Sequence, residues 1–585
     1  MTTTIIKGLF ITLFACFLCS CEGLLDQYPK DRLYAETYFS TEEEIRLYTN
    51  TFYKDLIPTA GEIYSGNAED IITTPLNEEV NCQRTIPTEG GGWNFDVLRN
   101  INYYLENSKN CPNEKVRKQY DGLARFFRAY FYFEKVKRFG DVPWYDRELG
   151  SDDPDLYKPR DSRTFVMDLV LQDIDYAIAN LPETKSLYHV TKWTAIALKS
   201  RIGLFEGTFR KYHGISGYEK FLDACIEASE TLIDESGYTL YKSGATPYMD
   251  LFATLDARPE EIILARDYNA TLSLKHNVQN YTNTSSMGKP GLSKLIVNSY
   301  LMADGTRFTD KPGYVTFQFH EECANRDPRL AQTIRTPGYA RKGSTTLVAP
   351  NLAFSITGYH LIKFSMETVY DEYSASCSDM PVFRLGEVYL NFAEAKAERG
   401  TLTQADIDKS IKLLRDRVGM PNLDMADANA NPDSYLLNAE TGYPNVSGAN
   451  KGIILEIRRE RTIELVMEGF RYYDIMRWKE GKRFEKDMTG IYVPGPGIYD
   501  LDQNGRADVC FYVGDKPAAF VALFLKIGQD VSLSEGESGN IICHDLNKRV
   551  WNEERDYLYP IPIMERSLTS GALTQNPGWN DGLDF

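Results

Sequence analysis

Histidine is scarce in this chain, positive charge is in deficit and no apolar run is long, and each shortage excludes something. The 585 residues hold six histidines, scattered from His189 to His544 with no HExxH or other close pair, so zinc hydrolysis has no foothold. No GxSxG elbow and no Walker loop occurs; Gly90-Gly91-Gly92 lacks a following Lys-Ser/Thr and reads as a flexible entry to Trp93. Acidic residues outnumber basic ones by 83 to 65, and the net charge of −18 argues against nucleic acid and against electrostatic adhesion to anionic lipid. Of ten cysteines, three lie in the first 21 residues; the other seven are far apart, odd in number and without a CxxC, which rules out a dense disulfide framework. The apolar stretch Leu9 to Leu18 is too short to span a bilayer, which takes about 20 residues.

That stretch, preceded by Lys7 and followed at once by polar chain, reads as a secretory signal. Leu18-Cys19-Ser20-Cys21 resembles a bacterial lipoprotein processing site, which implies a signal peptide over 1–20, cleavage before Cys21, and acylation of Cys21 as a lipid anchor. Several acyl chains on one residue hold firmly, since each buried CH₂ contributes about 0.8 kcal/mol. An ordinary signal peptide and a free secreted protein is the other reading. Residues 21–36 form the anchor and a polar leader, and 37–585 carry no linker that would divide them, so one domain is expected.

Helical periodicity dominates the rest. In Pro381 to Gly400, Leu385, Val388, Tyr389, Phe392 and Ala393 make one apolar face, with Gly400 at the C-terminal cap. Thr403 and Asp406 suggest a capping box opening a second helix that runs to Gly419 and Pro421. Further helices are expected over Gly122–Phe139, Arg163–Leu181, Lys192–Tyr212 and Tyr218–Ser236, and a long or broken one over Ile453–Lys482, interrupted near Gly469. Between them lie long segments without helical pattern, roughly Tyr238–Asp379, Asn422–Lys451 and Asp487–Asn547, with weak strand signals at Glu261–Ala265 and Phe520–Leu525. The expected fold is mostly α, with stacked tetratricopeptide-like helical hairpins, a large irregular loop region and minor β structure.

Phe126-Phe127-Arg128-Ala129-Tyr130-Phe131-Tyr132-Phe133 with Phe139-Gly140-Asp141-Val142-Pro143, Val190-Thr191-Lys192, Asp327-Pro328-Arg329-Leu330, Arg384-Leu385-Gly386-Glu387, Arg459-Glu460-Arg461 with Glu468-Gly469 and Arg477-Trp478, and Tyr559-Pro560-Ile561-Pro562 follow one another along the chain. In this order they resemble the RagB/SusD family of nutrient-uptake lipoproteins. The resemblance implies a non-catalytic surface lipoprotein on the extracellular face of the outer membrane. It would capture oligosaccharide, polysaccharide or another nutrient, and close as a lid over a SusC-like TonB-dependent barrel. A helical-repeat protein that binds peptides or proteins fits the stacked hairpins equally well, and Tyr-rich loops suit either.

Glu456, Glu460, Glu464 and Glu468, spaced by four, would line one helical face. A glycosidase uses paired carboxylates, but Arg458, Arg459, Arg461, Arg471 and Arg477 are near enough in sequence to hold these acids ionised, the opposite of what a general acid needs. Asp500-Leu501-Asp502-Gln503-Asn504-Gly505-Arg506-Ala507-Asp508 follows a calcium-loop pattern, with Asp500, Asp502, Asn504 and Asp508 as candidate Ca²⁺ ligands. Phe511 stands where a bidentate Glu belongs, and a plain Asx-rich turn remains the alternative. Sugar recognition needs flat rings for C–H faces and planar polar groups for hydroxyls. The loop with Asp70, Asn81, Arg84 and Trp93 resembles one place where family members carry ligand contacts, and Tyr281, Tyr314, Tyr359, Tyr370 and Tyr373 lie in the central loops. Trp193, Trp478, Trp551 and Trp579 read as structural.

Overall fold

A computed structural model describes residues 38–66, 68–544 and 548–585. The signal, Cys21 and the leader lie outside the described residues. The longer helices are α1 Glu42–Thr49, α2 Asp96–Asn107, α3 Glu114–Phe139, α4 Arg163–Asn180, α5 Lys192–His213, α6 Tyr218–Glu235, α7 Leu385–Arg399, α8 Lys451–Glu464 and α9 Arg471–Arg477. None of the described helices is long and apolar enough to cross a membrane.

Helix ends follow local chemistry. Asn113 caps α3 through Val116 N–H, and Gly140 ends it at φ 72°. Gly214 and Gly400 take the left-handed conformation after α5 and α7 at φ 73° and 74°. Thr403 and Asp406 form the expected reciprocal capping box. The α3 helix begins at Glu114, eight residues before its apolar face starts at Gly122, because its first two turns are polar. Pro381 to Arg384 is not the start of a helix. It is part of strand β2, Met380–Arg384, paired antiparallel to β1, Ile262–Arg266, and only Leu385 onward is helical.

The helices stack in consecutive pairs. Helix α3 packs on α4, α5 on α6, and α7 on both α6 and α8, and together they enclose one large continuous core. At the α5–α6 crossing the backbones nearly touch. A Cβ on Gly203 would stand 2.6 Å from Phe221 O and 2.7 Å from Cys225 N, so only glycine fits. The third nonhelical segment carries two small sheets. One places β8 (Gly539–Cys543) between β3 (Met488–Val493) and β7 (Ser532–Leu533), and the other places β5 (Val509–Tyr512) between β4 (Gly497–Tyr499) and β6 (Leu523–Lys526), with β5 and β6 parallel. The seven described cysteines are all free.

The acidic ladder is buried, and its partners are not the sequence neighbours expected. Helix α8 ends at Glu464, and Met467 (φ 62°) and Gly469 (φ 76°) break the chain before α9, so Glu468 stands off the helix. Glu460 meets Arg329 at 3.0 Å and Arg415 at 2.6 Å; Glu464 meets Arg384, Arg417 and Arg329; Glu468 meets Arg384 and Lys363, each at 2.6 Å. Only Glu456 pairs within the helix, with Arg459. Arg471 and Arg477 reach instead to Glu69 and Glu394. The charged block is thus a clamp joining α8 and the break after it to segments 45 to 135 residues away in the chain, and it holds Glu460, Glu464 and Glu468 ionised.

Candidate functional site

The expected N-terminal loop residues are largely interior. The Trp93 ring is 7 % exposed and meets Phe139 and Phe95 edge-on, at 4.9 and 5.4 Å. Gly90, Gly91 and Gly92 are not a loose entry. All three hold positive φ, and a Cβ on Gly92 would meet Arg138 Nε at 3.0 Å. Asp70 is buried, its Oδ1 accepting from Ala68 N–H at 3.1 Å, and burial beside Glu69 pushes its carboxyl up to about 6. Arg84 is buried over the Tyr559 ring and donates to the Asp556 carbonyl, so it braces the C-terminal segment. Asn81 donates to Gln83 Oε1 at 2.9 Å.

The central tyrosines do not form one aromatic platform. Tyr359 is fully buried and donates to Glu322 Oε2 at 2.6 Å. Tyr281 is buried against Tyr64. Tyr314 and Tyr370 are half-buried, and only Tyr373 of these five, 75 % exposed, offers its ring freely. Trp478 is fully buried and donates from its indole N–H to Glu394 Oε1 at 2.7 Å, which fits a structural role.

In the acidic loop, one oxygen from each of Asp500, Asp502 and Asp508 lies within 4.8 Å of the others. Backbone N–H groups of Asn504 and Gly505 donate to Asp500 at 3.1 and 2.7 Å, and Leu501 N–H donates to Asp508 at 2.8 Å. The Asn504 side chain is engaged within the loop: its Nδ2 donates to Asp502 Oδ2 at 2.9 Å and its Oδ1 accepts from Arg506 N–H. Burial, with the neighbouring carboxylates, raises the pKa values of Asp502 and Asp508 above the ordinary carboxylate range. This donor set is all hard oxygen, the kind that suits calcium or magnesium.

A feature the sequence did not reveal is a cleft of about 1080 Å³. One side is the Lys54–Gly66 segment, the floor is the Tyr130–Arg138 turns of α3, and the far wall is Glu468–Asp474. Gly66 and Gly469 meet at its base, where a Cβ on Gly66 would stand 3.0 Å from Gly469 Cα. Its lining mixes polar and aromatic side chains, and its volume is in the range of small-molecule sites. Its walls come from stretches about 400 residues apart in the chain, as the Glu69–Arg471 ion pair beside it illustrates, and no local pattern reports that closure.

Stacked helix pairs carrying an irregular loop region and an open cleft define a helical-repeat architecture. Residues 260–579 match the model of the SusD family, and residues 22–204 match a model described as "Starch-binding associating with outer membrane". The chain belongs to the SusD family. It is 24 % identical to SusD-like protein P38 of Formosa agariphila over 518 residues, which cover 81 % of this chain and 91 % of that one. A SusD-like protein of Bacteroides ovatus is 22 % identical over 81 % of this chain and 82 % of its own. Among solved structures, a SusD-like protein of Bacteroides fragilis superposes with a TM-score of 0.68 at 21 % identity, covering 95 % of this chain and all of that one. A SusD-like carbohydrate binding protein of the same species gives 0.67 at 18 %, covering 91 % and 99 %.

Proposed function

We propose that this chain is a cell-surface glycan-binding lipoprotein, anchored through Cys21 on the outer face of the outer membrane. It captures oligosaccharide and passes it to a SusC-like TonB-dependent transporter, over which it acts as the lid. The observation that carries this reading is the pair of family matches, over 22–204 and 260–579, which include a starch-binding, outer-membrane description. Its role is capture without turnover, because the acids that could serve a glycosidase are locked to guanidinium groups.

Solubilising the native membrane in mild detergent and recovering the tagged full chain is expected to bring down a large outer-membrane barrel, and the chain is expected to bind at least one polysaccharide without releasing reducing sugar. Recovery of a lone monomer that binds no glycan would remove this reading. The Asp500–Asp508 loop is read as a calcium loop within it. Calorimetry on chelator-treated protein is expected to show one calcium-binding event that is lost in the Asp500→Ala/Asp502→Ala double variant. Absence of calcium heat in the parent protein leaves the loop as an Asx-rich turn.

A further inference from the structure

We infer that the cleft between the Lys54–Gly66 segment and the Glu468–Asp474 wall is the saccharide site, and that its ligand is a neutral oligosaccharide rather than a uronate or sulfated polymer. This rests on the reading of the chain as glycan-binding. The first argument is shape. Small-molecule pockets run to roughly 300–1,000 Å³, and a cleft of about 1080 Å³ open on one side suits a short oligomer better than a single small metabolite.

The second argument is the wall chemistry. Phe470 and Tyr473 follow the left-handed Gly469 and are half-buried at the cleft; Arg201 lies over the Phe470 ring at 5.0 Å and Lys137 over the Tyr473 ring at 4.3 Å, so only the remaining exposed part of each ring is left for the C–H face of a sugar. Two planar polar groups are set in advance nearby. Arg138 donates from Nε to the Gly91 carbonyl at 3.0 Å and lies over the Tyr559 ring at 3.8 Å, which fixes the guanidinium plane and leaves its other N–H donors for a ligand. Glu79 accepts from Tyr559 Oη at 2.7 Å through one oxygen and keeps the other as an acceptor. Donor and acceptor thus flank the same tyrosine, both oriented before any ligand arrives, which lowers the ordering cost of binding.

The third argument is charge. Lys54, Lys135 and Arg138 line the cleft and make no ion pair with a carboxylate among the described residues; Asp55, Glu62, Glu79 and Asp96 line it and make none with a cation. Three positive groups against four negative ones give no net attraction for a polyanion, whereas hydroxyl groups need donors and acceptors in comparable number. Among the five central tyrosines, Tyr373 alone presents its ring freely.

The test is binding by the detergent-solubilised full chain to soluble starch, galactomannan, polygalacturonate and chondroitin sulfate, followed by calorimetry and affinity electrophoresis. Glu79→Gln keeps an acceptor for Tyr559 while removing the charge, Tyr473→Ala removes a ring, and Tyr373→Ala is the loop-surface control; each is checked for an unchanged melt. A neutral polysaccharide is expected to bind, with affinity falling about tenfold or more in the two cleft variants and unchanged in Tyr373→Ala. Loss of binding in Tyr373→Ala with both cleft variants intact overturns the cleft assignment while leaving glycan capture standing. Preference for polygalacturonate or chondroitin sulfate overturns the neutral-ligand assignment. Failure of folded parent protein to bind any of a broad polysaccharide panel overturns both this inference and the reading beneath it.

Discussion

Arg384→Met is expected to lower the unfolding free energy by about 3–5 kcal/mol, the range for removing one member of a buried ion cluster. Arg384 is 2 % exposed at the end of β2. Its Nε donates to Glu468 at 2.6 Å; its Nη1 donates to Glu261 at 3.1 Å and Glu464 at 3.0 Å; its Nη2 donates to the Glu464 carbonyl at 3.0 Å and again to Glu468 at 2.8 Å. Methionine fills the space but leaves three buried carboxylates short of a cation. The remaining charges, Arg417, Arg329 and Lys363, are already engaged with the same acids. A urea-unfolding series checks this, with Arg399→Ala as comparison, because the Arg399–Asp223 pair is partly exposed and worth about 1 kcal/mol or less. Adding Glu464→Gln to Arg384→Met should recover part of the loss, since it removes one stranded charge. A urea midpoint for Arg384→Met equal to that of Arg399→Ala would refute the account.

Two sets of buried acids are expected to make opposite contributions to the pH dependence of stability. Burial works against charge at Glu69, Glu394 and Glu464, but the guanidinium groups of Arg471 and Arg483, of Arg477 and Arg461, and of Arg417, Arg384 and Arg329 outweigh it and hold each carboxyl down to about 2. A carboxyl near 4.5 when unfolded and near 2 when folded stabilises the native state above pH 4.5, and that contribution, on the order of 3 kcal/mol each, is lost as pH falls from 4.5 toward 2. Glu480 behaves oppositely. Burial pushes it up to about 7, and Arg458 at 3.5 Å is too distant to compensate. Asp70, raised to about 6, acts the same way. An acid whose folded value is raised keeps its proton in the native state, so its contribution is full below its unfolded value and disappears as pH rises through 6 and 7. Urea midpoints measured from pH 3 to 8 should fall below pH 4.5, and the Glu480→Gln midpoint should gain on the parent's as pH rises from 4.5 through 7. A Glu480→Gln midpoint that keeps a constant offset from the parent's over that range would contradict the assignment.

Local signals in the sequence reported helices well. Gly140, Gly214 and Gly400 end helices where glycine tolerates positive φ, and Thr403 with Asp406 opens one, because capping depends on residues three or four apart. Strand β2 resembles the start of a helix in sequence because Pro381 to Arg384 runs directly into an apolar helix, and its pairing with Ile262–Arg266 is a contact across more than a hundred residues. The cations that neutralise Glu460, Glu464 and Glu468 lie 45 to 135 residues away, beyond the reach of any local pattern. Sequence separation also hid the cleft, whose walls come from both ends of the chain. Trp93 illustrates the converse: an aromatic after three glycines suggests an exposed loop, but the turn they form directs the ring inward onto Phe139.

The break between Met467 and Gly469 links these two themes. Glu468 is gripped there by Arg384 and Lys363 on its core side, and Phe470 and Tyr473 leave from the same few residues toward the cleft. The aromatic wall is therefore bolted to the interior and cannot swing independently of it. Its rigidity is settled when the chain folds, so a cargo molecule meets a preset jaw, and a change at an interior lysine such as Lys363 would be felt at a surface it never touches.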